Sequence, residues 1–185
     1  MDCTPIYSSI VKETFFGTMI HTYECTECTH TFSTVDECTG LSIEVMASVT
    51  SGVENLSKAH NILRTCPNCH KITLHTTCDN ICQQPNITIV CTNRFKQLPM
   101  GNFTKNCTVV HCDPSISLPN FVGSLVGVVL HHGSSITSGH YTSIVRADNI
   151  WYSCNDKVVS VINDIHSVLH SKDVYLLFYV KDNTY

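Results

Sequence analysis

The chain has 185 residues, 43% of them hydrophobic and 14% charged, the reverse of a disordered composition and enough for one domain with a real core. Lys and Arg total 11, scattered, against 15 Asp and Glu, and the net charge of −4 argues against nucleic-acid binding through a broad basic face. The first stretch, "MDCTPIYSSIVKETFF", has no basic start and no long apolar run, so it does not read as a signal peptide. "GTMIHTYE" and "HTFSTVDE" read as strands on either side of a Cys-x2-Cys pair, and "GLSIEVMASV" as a further strand. "GVENLSKAHNILR", residues 52–64, spaces Val53, Leu56, Ala59, Ile62 and Leu63 as a short helix would. "KITLHTTCDNICQQ" and "NITIVCTNRF" read as consecutive strands split by a Gln84-Pro85-Asn86 turn. Residues 99–120 are irregular, with strand fragments between prolines. "SLVGVVLHH", "GHYTSIVRA", "NIWYSC", "VVSVI" and "DVYLLFYV" are five strand candidates, with a short helix, "NDIHSVLHS", before the last. "DVYLLFYV" is apolar nearly throughout, as a strand buried on both faces would be. These elements predict an α+β domain rich in antiparallel sheet, with a metal-tied extension in its first half.

Twelve cysteines and 11 histidines stand out from the rest of the composition. Sequons at Asn55, Asn86, Asn102 and Asn106 would suit a secreted disulfide protein, but Asn, Ser and Thr are common enough here to produce them by chance. With no signal peptide and no apolar run of membrane-spanning length, the chain reads as soluble and intracellular, with no membrane partner and with reduced cysteines. Cys25-Thr-Glu-Cys28 and Cys66-Pro-Asn-Cys69 are two knuckles, each presenting two thiolates from one tight loop, and together they complete a tetrahedral shell for a structural Zn2+. The 37 residues between Cys28 and Cys66 exceed the usual ribbon spacing, so the knuckles are expected on separate hairpins joined at their tips by the metal. The remaining cysteines, including the looser Cys78 and Cys82 pair, read as strand or turn residues.

The stretch "SGHYTSIVRADNIWYSCND" places His140 at the start of one strand and Asn155-Asp156 at the end of the next. In an antiparallel pair those ends are neighbours, so the imidazole and an amide or carboxylate are expected side by side. Such a partner fixes the histidine tautomer, as in the base-and-orienter half of a Cys-His-Asn triad. A satisfied strand histidine fits the same residues. Gly139 leaves room for a second backbone close by.

Taken together these motifs resemble the ubiquitin-specific protease family. "HHGSSITSGHYTSIVR…WYSCND" is similar to its histidine box, "NITIVCTNRF" to its strand ending in Arg-Phe, "FFGTMIHTYECTECTHTFSTVDECTGLSIEV" and "RTCPNC" to its fingers, and "DVYLLFYV" to its closing strand. The resemblance implies a papain-like cysteine protease fold of fingers and palm, with the thumb missing. It implies one partial domain over residues 1–185, with zinc-tied fingers and a palm strand at about 15–98 and a palm carrying the histidine box at about 118–185. It implies thiol-dependent hydrolysis of peptide or isopeptide bonds at the ubiquitin C-terminus, in the cytoplasm and/or nucleus. His140 would be the general base, Asn155 its orienter and Asp156 an auxiliary or alternative partner. Gly139, Tyr141, His132 and Gly133 would line the channel for the ubiquitin tail, and Cys25, Cys28, Cys66 and Cys69 would hold zinc. No cysteine box is legible, and Cys3, followed by Pro5, lacks its setting, so this chain alone is expected to be inactive. The competing expectation is a non-catalytic ubiquitin-binding module or pseudoenzyme.

Overall fold

The computed structural model describes residues 9–119 and 121–182; Cys3 and the rest of the first stretch through Ser8 lie outside them. In chain order the elements are α1 (Ile10–Phe15), β1 (Gly17–Cys25), β2 (Thr31–Cys38), β3 (Leu41–Ile43), α2 (Val49–Leu56), β4 (His60–Thr65), β5 (Ile72–Gln83), β6 (Ile87–Thr92), β7 (Phe95–Gln97) and β8 (Phe103–Lys105). They continue with β9 (Val110–His111), β10 (Ser115–Leu118), β11 (Phe121–His132), β12 (His140–Ala147), β13 (Ile150–Asn155), β14 (Val158–Ile162), β15 (His170–Ser171) and β16 (Val174–Lys181). Among the described residues no helix is long and apolar enough to cross a membrane, which says nothing of a β-barrel.

Two sheets carry the architecture. A four-stranded antiparallel sheet runs in the order β2-β1-β5-β4, so the β1–β2 and β4–β5 hairpins lie side by side and point their turns the same way. An eight-stranded sheet runs β14-β13-β12-β11-β16-β6-β3, with β10 paired to β11. Its pairs are antiparallel except the short parallel contact of β3 with β6. β16 lies between β11 and β6, with Val174, Leu177 and Tyr179 buried and Tyr175, Leu176, Phe178 and Val180 half-buried. The core sits against this larger sheet, where Ile43, Val90, Phe121, Leu125, Val128, Leu177 and Tyr179 are each at most 2% exposed.

Three expected elements differ. The helix expected over residues 52–64 starts and ends earlier, at Val49–Leu56, because Ser48 caps it by accepting from the Ser51 amide at 3.1 Å. The second half of that stretch is β4, pulled into pairing with β5. Leu63, placed on a helical apolar face, is instead 70% exposed. The long strand expected from Gly40 shrinks to Leu41–Ile43, since only those residues meet β6 before the Ser48 cap begins the helix. "NDIHSVLHS" forms a 3-10 turn, Ile165–Ser167, capped by Asp164, and then the two-residue β15, which pairs with β9.

Candidate functional site

The site begins with register. β12 opens at His140 and pairs with β13 through Ser143↔Cys154 to Ala147↔Ile150. Continuing that register by one residue sets Asn155 opposite Thr142, two positions along the same strand face from His140. The side chains meet there: His140 Nε2 lies 2.7 Å from Asn155 Oδ1. An amide oxygen only accepts, so Nε2 carries the proton and Nδ1 is left as the free base. Asp156 occupies the turn into β14 at φ +50°, and among the described residues the His140 ring bonds Asn155 and not Asp156.

Gly139 is fixed by crowding. A Cβ there would stand 2.3 Å from His131 Nε2 and 2.7 Å from the His132 carbonyl oxygen. Gly133, at φ +133°, brings the other end of the loop within 3.2 Å of the Gly139 Cα measured from where its own Cβ would be. The two glycines therefore pinch the neck of the segment between β11 and β12. Tyr141 is 52% exposed, with its ring 4.8 Å from the buried His131 ring. Burial, helped by the nearby Lys105 charge, lowers the His131 pKa and keeps that ring neutral.

Beneath the pair lies a polar chain of which the sequence pointed only to His132, as a channel residue. Lys105 Nζ reaches Asp173 Oδ1 at 2.8 Å, Asp173 Oδ2 lies 3.3 Å from His132 Nδ1, and His132 Nε2 lies 2.8 Å from Thr142 Oγ1. Burial works to raise the Asp173 carboxyl, but the Lys105 ammonium and His132 outweigh it and hold the group below its usual range. Arg94 was read only as part of a motif, and it is 1% exposed. Its guanidinium donates to the carbonyls of Val174, Asn106 (2.9 Å), Thr108 (2.9 Å) and Ser171 (3.3 Å). Lys105 sits in a stretch whose pattern is irregular, and nothing in its neighbours signals burial.

The second constellation is 25/28/66/69. The turns after β1 and after β4 fold identically: the Thr29 amide donates to the Cys25 carbonyl at 2.9 Å and the His70 amide to the Cys66 carbonyl at 3.0 Å. Thr29 and His70, each four residues after its first cysteine, both take positive φ, +56° and +59°. The four sulfurs lie within 4.8 Å of one another, with Cys28 Sγ and Cys66 Sγ 3.7 Å apart. A tetrahedral ion with Zn–S near 2.3 Å requires S···S edges of about 3.8 Å, so the donor set fits. The electrostatics agree. The Thr73 hydroxyl at 3.3 Å lowers Cys25 to about 6. The Lys71 amide favours the Cys69 thiolate, yet burial and the three neighbouring thiols outweigh it and push Cys69 up to about 11. Four crowded thiols cannot all ionise without a cation among them. These four residues could hold a metal ion. The other described cysteines are free thiols; none comes within hydrogen-bonding distance of the His140 ring, and Cys154 points to the face of β13 opposite Asn155.

A family model described as ubiquitin carboxyl-terminal hydrolase matches residues 4–179. The chain is 30% identical over 196 residues to ubiquitin carboxyl-terminal hydrolase 25 of Arabidopsis thaliana, covering 95% of this chain and 28% of that protein. It is 28% identical over 189 residues to ubiquitin carboxyl-terminal hydrolase 42 of Homo sapiens, covering 95% of this chain and 14% of that one. The chain thus spans well under a third of either relative. Among solved structures, the yeast SAGA DUB module superposes with a TM-score of 0.86 at 22% identity, over 98% of this chain and 44% of that one. A SAGA DUB module bound to ubiquitin aldehyde gives 0.82 at 20% identity, over 96% and 44%. At these identities the likeness establishes the fold, which is the sheet-rich, papain-like fold expected from the sequence.

Proposed function

Because the chain belongs to the ubiquitin carboxyl-terminal hydrolase family, we propose that it forms the fingers and palm of a ubiquitin-specific thiol hydrolase and supplies the base and orienter for cleavage at the ubiquitin C-terminus. The observation that carries this reading is the 2.7 Å contact of His140 Nε2 with Asn155 Oδ1. In this reading His140 Nδ1 takes the proton of a cysteine thiol. The thiolate adds to the carbonyl of the ubiquitin C-terminal glycine, and the imidazolium returns the proton to the leaving amine as the C–N bond breaks. Water, deprotonated by the same nitrogen, then releases ubiquitin. Asn155 holds the ring in the tautomer each step needs, and Asp156 stands beside it in the turn as an auxiliary polar group.

The eight-stranded sheet serves as the palm and the four-stranded sheet as the fingers. Cys25, Cys28, Cys66 and Cys69 would hold zinc, which ties the finger tips. Gly133, Gly139, His132 and Tyr141 line the approach for the flexible ubiquitin tail. Free thiols suit a reducing compartment, cytoplasm or nucleus.

A second reading, a ubiquitin-binding module without turnover, is favoured by one observation: among the described residues no thiol approaches His140. Two measurements test them: the first tests both readings together, and the second can exclude the binding-only one. Labelled ubiquitin titrated with this chain should show shift changes that disappear on zinc chelation; unperturbed spectra at high concentration would sink both. A ubiquitin probe with a C-terminal electrophile should leave the isolated chain unlabelled. Covalent capture, mapped to its cysteine, would identify a nucleophile within it and exclude the binding-only reading.

A further inference from the structure

Lys105 ends a three-residue strand, β8, that belongs to neither large sheet, yet its side chain is only 2% exposed. All three ammonium protons are used. They go to the His131 carbonyl, the Gly133 carbonyl at 2.9 Å and Asp173 Oδ1 at 2.8 Å. Each acceptor is on, or tied to, the end of β11 that leads toward His140; Asp173 itself takes the His131 amide on its carbonyl at 2.8 Å. A buried ion pair is a poor device for stability alone, since apolar side chains of the same volume do that work without desolvating two charges. Here the charge is aimed at one loop.

From Asp173 the connection continues without a break. Its Oδ2 accepts from His132 Nδ1 at 3.3 Å, which leaves His132 Nε2 to accept the Thr142 hydroxyl at 2.8 Å. His132 is the cross-strand partner of His140, and the two rings stack at 6.2 Å and 25°. Thr142 lies opposite Asn155 once the β12–β13 register is continued. The chain therefore ends beneath both members of the pair, one through each strand.

We infer that Lys105 and Asp173 are positioning residues that hold His140 and Asn155 in working register through His132 and Thr142. Neither touches the reacting atoms; they fix the two side chains that flank the pair. The inference rests on the reading of His140 as base and Asn155 as orienter, and the test is arranged to separate the two.

The readout is the imidazole 15N spectrum of His140 in the folded 185-residue chain, which reports tautomer and needs no nucleophile. The parent chain should show widely separated Nδ1 and Nε2 shifts, with Nε2 protonated. Lys105→Met, Asp173→Asn and Thr142→Val should each narrow that separation as the two tautomers mix, and Asn155→Ala should do so most. Because Lys105→Met removes a buried charge and can fail to fold, the near-isosteric Asp173→Asn and Thr142→Val decide the matter. An unchanged His140 separation in both of those, with Asn155→Ala collapsing it, overturns the positioning role and leaves the base-and-orienter reading standing. An unchanged separation in Asn155→Ala overturns that reading and the positioning role together.

Discussion

At Gly139 an added methyl would stand 2.3 Å from a ring nitrogen and 2.7 Å from a backbone carbonyl, and a backbone carbonyl cannot swing away. Gly139→Ala should therefore cost about 1–3 kcal/mol, the usual range for overpacking, and should displace the start of β12 with it. Thermal unfolding gives the first number, and loss of the His140–Asn155 tautomer signature gives the second; a variant as stable as the parent would mean the crowding is relieved by a loop shift. At Asp173 the effect is electrostatic. Its folded pKa lies below its unfolded value, so the stability it contributes is present above the ordinary carboxylate pKa and is lost as pH falls through the folded value. The groups facing it are Lys105 and His132, with His131 and the Arg94 guanidinium nearby; all are basic, so none reverses that sign. Denaturant titrations should show Asp173→Asn less stable than the parent at neutral pH, with the gap closing below about pH 4. A gap that is constant with pH would assign the loss to packing instead. The histidine and asparagine were legible in the sequence because a hairpin converts their spacing into contact. Lys105 and Asp173 were not, because 68 residues separate them and no local period announces a buried charge.

Among the elements, legibility followed how local the deciding force was. β1, β2, β5, β6, β11 to β14 and β16 carry their own alternation or apolar run, and most of them form where the sequence put them. β4 failed because its apolar residues also match a helical period, and only the partner strand decides between the two. Arg64 shows what the strand gains: its guanidinium lies 4.0 Å from the Tyr23 ring centroid and 4.8 Å from that of Phe32, across β5 and β1. The end of β6 offers the sharpest test of element packing. Arg94 feeds four carbonyls from three separate segments, the 106–108 stretch, β15 and β16, into one planar group. Arg94→Met fills the same space but leaves those acceptors buried without donors. At about 1–3 kcal/mol for each unsatisfied group, less what water recovers, a loss of roughly 3 kcal/mol or more is expected in urea unfolding. Arg94→Lys should recover only part of it, because one ammonium cannot reproduce the fork. Full recovery by lysine would show that charge, not geometry, holds these segments.

For the whole molecule, the two sheets bury different kinds of side chain. Every aliphatic residue of the buried core lies with the eight-stranded sheet and the segments packed on it. In the four-stranded sheet the buried positions are Gly17, Cys25, Thr73, His75 and Thr77, while Val35, Leu63, Ile72 and Leu74 face solvent. A sheet with no fully buried aliphatic side chain, and with only Met19 and Ile81 partly buried against the main core, offsets little of the entropy of ordering two hairpins by burial. A metal ion held by Cys25, Cys28, Cys66 and Cys69 would supply the missing term, since structural zinc sites in small folds carry an apparent binding free energy of about 10–16 kcal/mol at neutral pH. Chelation should therefore be a local event. Amide exchange in β1, β2, β4 and β5 should lose its protection near the knuckles first, while β6, β11 and β16 keep theirs. Cys66→Ser should reproduce the chelated pattern and drop the bound zinc from one per chain toward none, measured by elemental analysis. Unfolding of both sheets together on chelation would mean that the palm depends on the fingers for its own stability. Retention of protection around Cys25 and Cys66 after complete metal removal would mean that the two hairpins hold themselves, and that the sulfur cluster is not what closes them.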